Sequence, residues 1–224
     1  MIAIISDVHG NYPALQSVLR RIDELGCEKI ISLGDVTGYY CMVNECIDEF
    51  RRRNIANILG NHDSYVLGKG KCPRSTTVNK CIEYQKKILS GENYAYLESS
   101  LDFLDTDLFS ARHGGWRDPL DEYIERFDFS IAERYSCKFF CSGHNHIQTV
   151  QKKDNVIYFN PGSVGQPRDE DSRAGFALIT NDGVELLRVE YPIDEIVEHM
   201  RAEGFEDRIS ECLYKGTKVR TYGS

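Results

Sequence analysis

Five times along this chain an apolar, strand-like run gives way to a short motif rich in His, Asp or Asn, and that recurrence constrains the fold more than any other feature. Ile2 to Ile5 leads into Ser6-Asp7-Val8-His9-Gly10, and Lys29 to Leu33 into Gly34-Asp35. Ile55 to Leu59 leads into Gly60-Asn61-His62-Asp63, Leu108 to Arg112 into His113-Gly114, and Lys138 to Ser142 into Gly143-His144-Asn145-His146. Of the six histidines, only His199 lies outside these motifs. Catalytic groups in open sheets gather beyond the carboxyl ends of strands, and five such ends supply enough ligands to surround two cations. The layout is that of a two-metal hydrolytic site.

A chain of 224 residues can bury one sizeable core, and we expect a single domain, with a catalytic core over about 1–190 and a C-terminal helical extension over about 191–224. The apolar runs are far shorter than the roughly 20 residues that span a bilayer. Met1 leads straight into a strand, so no signal peptide or membrane segment is expected and the protein is expected to be cytoplasmic. The eight cysteines form no CxxC pair and no compact framework, which predicts reduced, packed thiols. A net charge of −8 argues against capture of duplex nucleic acid. It does not exclude small anions: two divalent cations against Asp7, Asp35 and one hydroxide leave a local charge of about +1. The basic run Arg51-Arg52-Arg53 reads as a solvated helix C-terminus complementing the macrodipole.

Between the motifs, apolar residues at helical spacing predict helices over Tyr12 to Leu25 and Val43 to Arg53, which makes two successive βαβ units. Helical material is expected over Thr77 to Leu97, Pro119 to Arg126 and Ser130 to Tyr135, with a strand near Leu101 to Leu104. After Ser142 the pattern becomes that of antiparallel strands: Ile147 to Gln151, Val156 to Phe159, Gly175 to Thr180 and Val184 to Glu190. Asp154-Asn155 and Asn181-Asp182-Gly183 supply turns between them. A helix over Ile193 to Ala202 precedes a polar tail, and the acidic stretch from Ile193 to Cys212 is a candidate surface for homo-oligomer formation. Two sheets with helices outside are the predicted architecture.

Each motif has its chemistry. In Asp7-x-His9 and His144-x-His146, side chains at i and i+2 of an extended segment point the same way and can grip one ion together. In Gly60-Asn61-His62-Asp63 an amide oxygen can serve as a hard ligand while His62 stays free to donate a proton. The set Asp-x-His, Gly-Asp, Gly-Asn-His-Asp, His and Gly-His-x-His, in this order, resembles the calcineurin-like metallophosphoesterase superfamily from Met1 to about Arg173. The segment Asn160-Pro161-Gly162-Ser163-Val164-Gly165-Gln166-Pro167-Arg168 is similar to its small single-domain bacterial and archaeal phosphodiesterases.

The resemblance implies an α/β fold, a four-layer αββα sandwich of two mixed sheets flanked by helices. It implies that Asp7, His9 and His146 hold one metal, that Asn61, His113 and His144 hold the other, and that Asp35 bridges them. His62 is then the proton donor, with Asp63 either orienting it or capping a helix. Two cations roughly 3.5–4 Å apart supply a bridging hydroxide for in-line attack at phosphorus. Mn, Fe, Zn, Co or Ni suits mixed N and O ligands, and Mn is favoured.

The segment Gly34-Asp35-Val36-Thr37-Gly38-Tyr39-Tyr40 lacks the acidic residue and Arg-Gly of the protein serine/threonine phosphatases, which disfavours that branch. Tyr40-Cys41-Met42 stands where small-branch relatives carry Gly-Pro, so the loop beside the metals takes its own path. Tyr39 and Tyr40 can stack on a nucleobase or pack against their own domain. Arg168 and Arg173 can hold a phosphate oxygen or sit in exposed ion pairs. The function expected is hydrolysis of a small nucleotide-like phosphodiester or phosphomonoester. The alternative is a metal-bearing scaffold that binds a protein partner, as a retromer subunit of the superfamily does. That homologue is compromised in its catalytic histidines, whereas His62 and the seven ligands are intact here.

Overall fold

A computed structural model describes residues 1–219. The first half alternates strand and helix: β1 (Ile2–Ile5), α1 (Tyr12–Glu24), β2 (Lys29–Ser32), α2 (Val43–Arg52), β3 (Ala56–Asn57), α3 (Asn61–Val66), α4 (Thr76–Ile88) and α5 (Gly91–Glu98). Then follow β4 (Leu104–Asp105), β5 (Phe109–Arg112), a 3₁₀ helix (Phe129–Arg134) and β6 (Phe139–Ser142). Two hairpins, β7 (Gln148–Lys153) with β8 (Val156–Pro161) and β9 (Ala174–Ile179) with β10 (Val184–Val189), precede α6 (Ile193–Ala202), α7 (Arg208–Glu211) and a final 3₁₀ turn (Cys212–Lys215).

The strands form two mixed five-stranded sheets, ordered β10-β9-β1-β2-β3 and β4-β5-β6-β8-β7. β1 runs parallel to β2, and β2 to β3, while β9 joins the other side of β1 antiparallel. In the second sheet β5, β6 and β8 are parallel. Alternation along the strands builds the layers. Ile4 and Ile31 meet Phe109, Phe139 and Phe159 in an apolar seam between the sheets. Ala3 and Ile5, on the opposite face of β1, join the helices through Leu15, Val18, Ile47 and Phe50. On the outer face of the second sheet Phe140 and Tyr158 pack under Ile124, Phe127 and Ile131. The four-layer sandwich expected from sequence is therefore present, with a 3₁₀ helix and irregular chain as its thinnest layer.

Two expectations need correction. Pro119 to Arg126 is turn and irregular chain rather than helix. The Glu122 carboxylate accepts the amides of Arg117 and Asp118, and Asp118 accepts those of Leu120 and Asp121, so side chains take donors a helix would have used. The helical material expected from Thr77 to Leu97 is present as two helices, since Ser90 caps the second by accepting the Asn93 amide. The tail after Ala202 is no mere polar end: Ile209 and Leu213 are buried in the helix-side core. Residues 220–224 of the expected extension lie outside the described residues. The Arg51-Arg52-Arg53 run behaves as expected, closing α2 through pairs with Glu92, Glu49 and Asp23.

Candidate metal centre

The five motifs arrive at one end of the sandwich, each just past the carboxyl end of its strand, and Asn61 opens α3 behind its cap Gly60. The loops that carry them are tied to one another. Asp7, His9 and Gly10 donate their amides to the carbonyls of Gly34, Asp35 and Val36 at 2.9 Å each. Ser163 and Gly165 clamp the other side, donating to the Asp7 carbonyl at 2.7 and 3.0 Å. Asp7, His9, Asp35, His144 and His146 all have left-handed backbone, with φ of 53°, 54°, 54°, 67° and 63°. The i, i+2 pairs are therefore not on extended segments as expected: turns that reverse the chain make each pair converge.

All seven expected ligands line the same buried cleft. His146 Nε2 lies 3.3 Å from Asp7 Oδ1, and His9 Nε2 lies 3.7 Å from it and 3.9 Å from Asp35 Oδ2. On the far side of Asp35, His113 Nε2 is 3.5 Å from Oδ2 and 3.0 Å from Asn61 Oδ1. Asp7, His9 and His146 form one cluster with metal-ligand spacing, Asp35, His113 and His144 a second, and His9, Asp35 and His62 a third.

The hydrogen bonds behind the rings decide what the rings can do. His9, His113 and His146 each set Nδ1 against a carbonyl, of Thr37, Leu33 and Gln166, at 2.7, 2.9 and 2.6 Å. A carbonyl only accepts, so each Nδ1 donates and each neutral ring turns a bare Nε2 lone pair into the cleft. His9 Nε2 and His146 Nε2 are then 3.1 Å apart, acceptor facing acceptor. Asp7 Oδ1, Asp35 Oδ2 and His144 Nε2 are buried with no hydrogen-bond partner. Unpaired acceptors at such spacing are costly unless a cation lies among them. Burial, helped by neighbouring imidazoles, holds His9 well below the usual histidine range and pushes His144 down to about 2, which keeps their lone pairs free. Burial raises the Asp35 carboxyl, reinforced by Asp63 and Asp7; at Asp7 burial also pushes upward, but His146 and its neighbours outweigh it. The donor set thus fits divalent ions.

Asp63 does not contact the His62 ring. Its carboxylate accepts the amides of Asp35 and Thr37 at 2.9 and 3.0 Å, the Thr37 hydroxyl at 2.9 Å and the Gly60 amide at 3.2 Å, so it caps α3 and sets the Asp35 loop. Gln85 in α4, which no motif singles out, does the same for the next stretch, accepting from the Gly38 amide and donating to the Tyr40 carbonyl. At Gly38, φ is 140° and an added Cβ would stand 2.2 Å from His9 Nδ1 and 2.7 Å from His62 Nδ1.

A cavity of about 170 Å³ opens over these groups, with Tyr39, Arg168, Arg74 and Tyr123 on its walls and Lys218 and Val219 closing one side. Arg168 donates to the Tyr39 hydroxyl at 3.0 Å and to Gln166 Oε1 at 2.7 Å, and has no ion-pair partner among the described residues. Tyr39 packs edge-on against the His9 ring at 4.9 Å, and burial pushes its hydroxyl up to about 12. Tyr40 is buried, accepting from Gln166, and offers no stacking face. Arg173 is paired with Asp171 at the surface, away from the cavity, which removes it as a phosphate ligand.

Comparison with known proteins gives the class. The calcineurin-like phosphoesterase superfamily domain matches residues 1–183, and the chain belongs to that superfamily, an enzyme family of metal-dependent phosphoric ester hydrolases. It is 31% identical to an uncharacterized protein of Methanocaldococcus jannaschii over 96% of this chain and 98% of that one. It is 24% identical to phosphodiesterase YfcE of Escherichia coli strain K12, over 81% of this chain and 88% of that one. A metallophosphoesterase structure from Sphaerobacter thermophilus superposes with a TM-score of 0.82 at 31% identity, covering 96% of this chain and 98% of that one. No helix among the described residues is long and apolar enough to cross a membrane.

Proposed function

We propose that this chain is a binuclear metal-dependent phosphoesterase acting on a small nucleotide-like phosphodiester or phosphomonoester in a reducing, cytoplasmic setting, consistent with its eight free cysteines. The observation that carries the reading is the set of buried acceptors facing one another with no donor between them. In this reading Asp7, His9 and His146 hold one ion, Asn61, His113 and His144 the other, and Asp35 both, with Mn favoured. The ions, when bound, activate water for in-line attack at phosphorus and neutralise phosphoryl oxygens. Arg168, without a carboxylate partner among the described residues and steadied by Tyr39, takes a non-bridging oxygen. His62 lines the cavity, and its Nδ1 makes no hydrogen bond among the described residues, so in this reading the ring passes a proton to the leaving oxygen. Burial and the nearby His9 and Arg168 disfavour its charged form, so an anionic phosphate beside Arg168 is what restores the proton. Residues 1–219 act as one domain in this reading, since the C-terminal segment shares its core and its cavity.

Changing His62 to Asn tests the assignment. We expect metal content to persist and hydrolysis of esters with alkoxide leaving groups to slow by about 10²–10⁴, with nitrophenyl esters less affected because nitrophenolate leaves without a proton. Loss of one ion with equal damage to both substrates would make His62 a ligand. Unchanged rates on both would remove it from the chemistry.

A further inference from the structure

The loop after β5 brings a carboxylate outside the seven expected ligands up against His144, a residue of the cleft. Gly114 and Gly115 donate their amides to the carbonyls of Pro119 and Asp118 at 2.7 and 2.9 Å, which folds the chain back immediately after His113. Asp118 Oδ1 then accepts the Asp121 amide at 3.2 Å. The result is that Asp121 Oδ1 lies 3.4 Å from His144 Nε2. That separation falls between those of two expected ligand pairs, 3.3 Å for Asp7 with His146 and 3.5 Å for Asp35 with His113.

The partner nitrogen points independently to a missing ligand. His144 is 4% exposed, and its buried Nε2 has no hydrogen-bond partner among the described residues. With Nε2 unprotonated, as ligation of a metal requires, the ring would set a lone pair against an anionic oxygen, a repulsive contact that a cation between them makes attractive. Asp121 is also aimed. Arg74 Nη1 donates to its Oδ2 at 2.8 Å, with Nη2 on Oδ1 completing a two-pronged grip. The guanidinium lies 5.4 Å over the Tyr123 ring, and that ring packs 4.1 Å from His144. A carboxylate holding an arginine keeps further lone pairs for a metal.

We propose that Asp121 is an additional ligand of the cation at His144, delivered by the loop after β5 and steered by Arg74; this rests on the binuclear reading above. A further anionic oxygen biases that subsite toward a hard ion such as Mn²⁺ over Zn²⁺.

The test is Mn²⁺ titration of the full chain, by calorimetry and by electron paramagnetic resonance of the coupled ion pair. Asp121→Asn and Asp121→Ala should each weaken one of two ions by about 10–100-fold and leave the other unchanged. Arg74→Gln, which keeps the carboxylate but frees it, should weaken the same ion by a smaller factor. Asp121 is 32% exposed on its side chain, and circular dichroism should show all three variants folded. Two ions held at wild-type affinity by both Asp121 variants would overturn the proposal while leaving the binuclear reading standing. A wild-type chain that holds fewer than two ions would overturn both.

Discussion

At the scale of single residues, the cost of this cleft is written in its backbone. Five polar residues hold left-handed φ values, a conformation that costs non-glycine residues roughly 1–2 kcal/mol apiece. Strain of this kind persists where the surroundings over-determine it, here through the amides paired across the Asp7 and Asp35 loops. Gly38 shows how little slack remains. Gly38→Ala should drive His9 and His62 apart and lower activity by about 10², the scale of a 1 Å misplacement. Gly26→Ala, at a left-handed site with nothing within 4 Å of an added Cβ, should cost about 1–2 kcal/mol of stability and spare activity. Assays and melts on both variants check the contrast, and equal activity would show that the Gly38 neighbours can yield. That the seven candidate ligands converge on one cleft was readable because their motifs each follow an apolar run at once. Gln85 serves through partners 45 and 47 positions away and Asp121 through a turn that local pattern does not announce, so neither could be read; Asp63 was readable as a cap, but not its hold on the Asp35 loop 26 to 28 positions away.

At the scale of elements, spacing served well where one face of a helix meets one core, as in α1, α2 and α6. It failed over Pro119 to Arg126 because its apolar residues answer to two different cores: Leu120 packs with the helix-side cluster and Ile124 with the outer face of the second sheet. The hairpins were legible from their turns, but not that β9 would join β1 and β8 would join β6, since pairing partners leave no mark on a single strand. The end of α2 offers an electrostatic test. Hydrogen bonds from Arg52, with Arg53 adding to them against partial burial, bring Glu49 down to about 2 from an ordinary value near 4.5. A depressed carboxyl stabilises the fold above its unfolded pKa, and the benefit is lost as pH falls through the folded one. Glu49→Gln should therefore be less stable than wild type by about 1 kcal/mol at neutral pH, with the gap closing between pH 4.5 and 2. Denaturant melts across that window decide it; a gap independent of pH would assign the loss to packing.

At the scale of the whole molecule, a chain of net charge −8 keeps at one opening an arginine, Arg168, without a carboxylate partner among the described residues, so its attraction for phosphate is local. The C-terminal segment contributes to that opening. Glu170 donates its amide to the Gly216 carbonyl at 3.0 Å, and Lys218 lines the cavity. Ending the chain after Gly216 should leave metal content intact and raise KM about three- to fivefold, the scale of one exposed charge contact; an unchanged KM would show the segment to be a bystander. The two sheets also have separate claims on the cleft. Asp7, His9 and Asp35 follow strands of the first, whereas His113, His144 and His146 follow strands of the second. Any ion shared among them fastens one sheet to the other like a rivet through two plates. Heat resistance and catalytic readiness then draw on the same occupancy: at a free metal concentration a hundred times Kd the rivet adds about 2.7 kcal/mol to the sandwich, and a cell short of metal holds an enzyme that is both idle and easier to unfold.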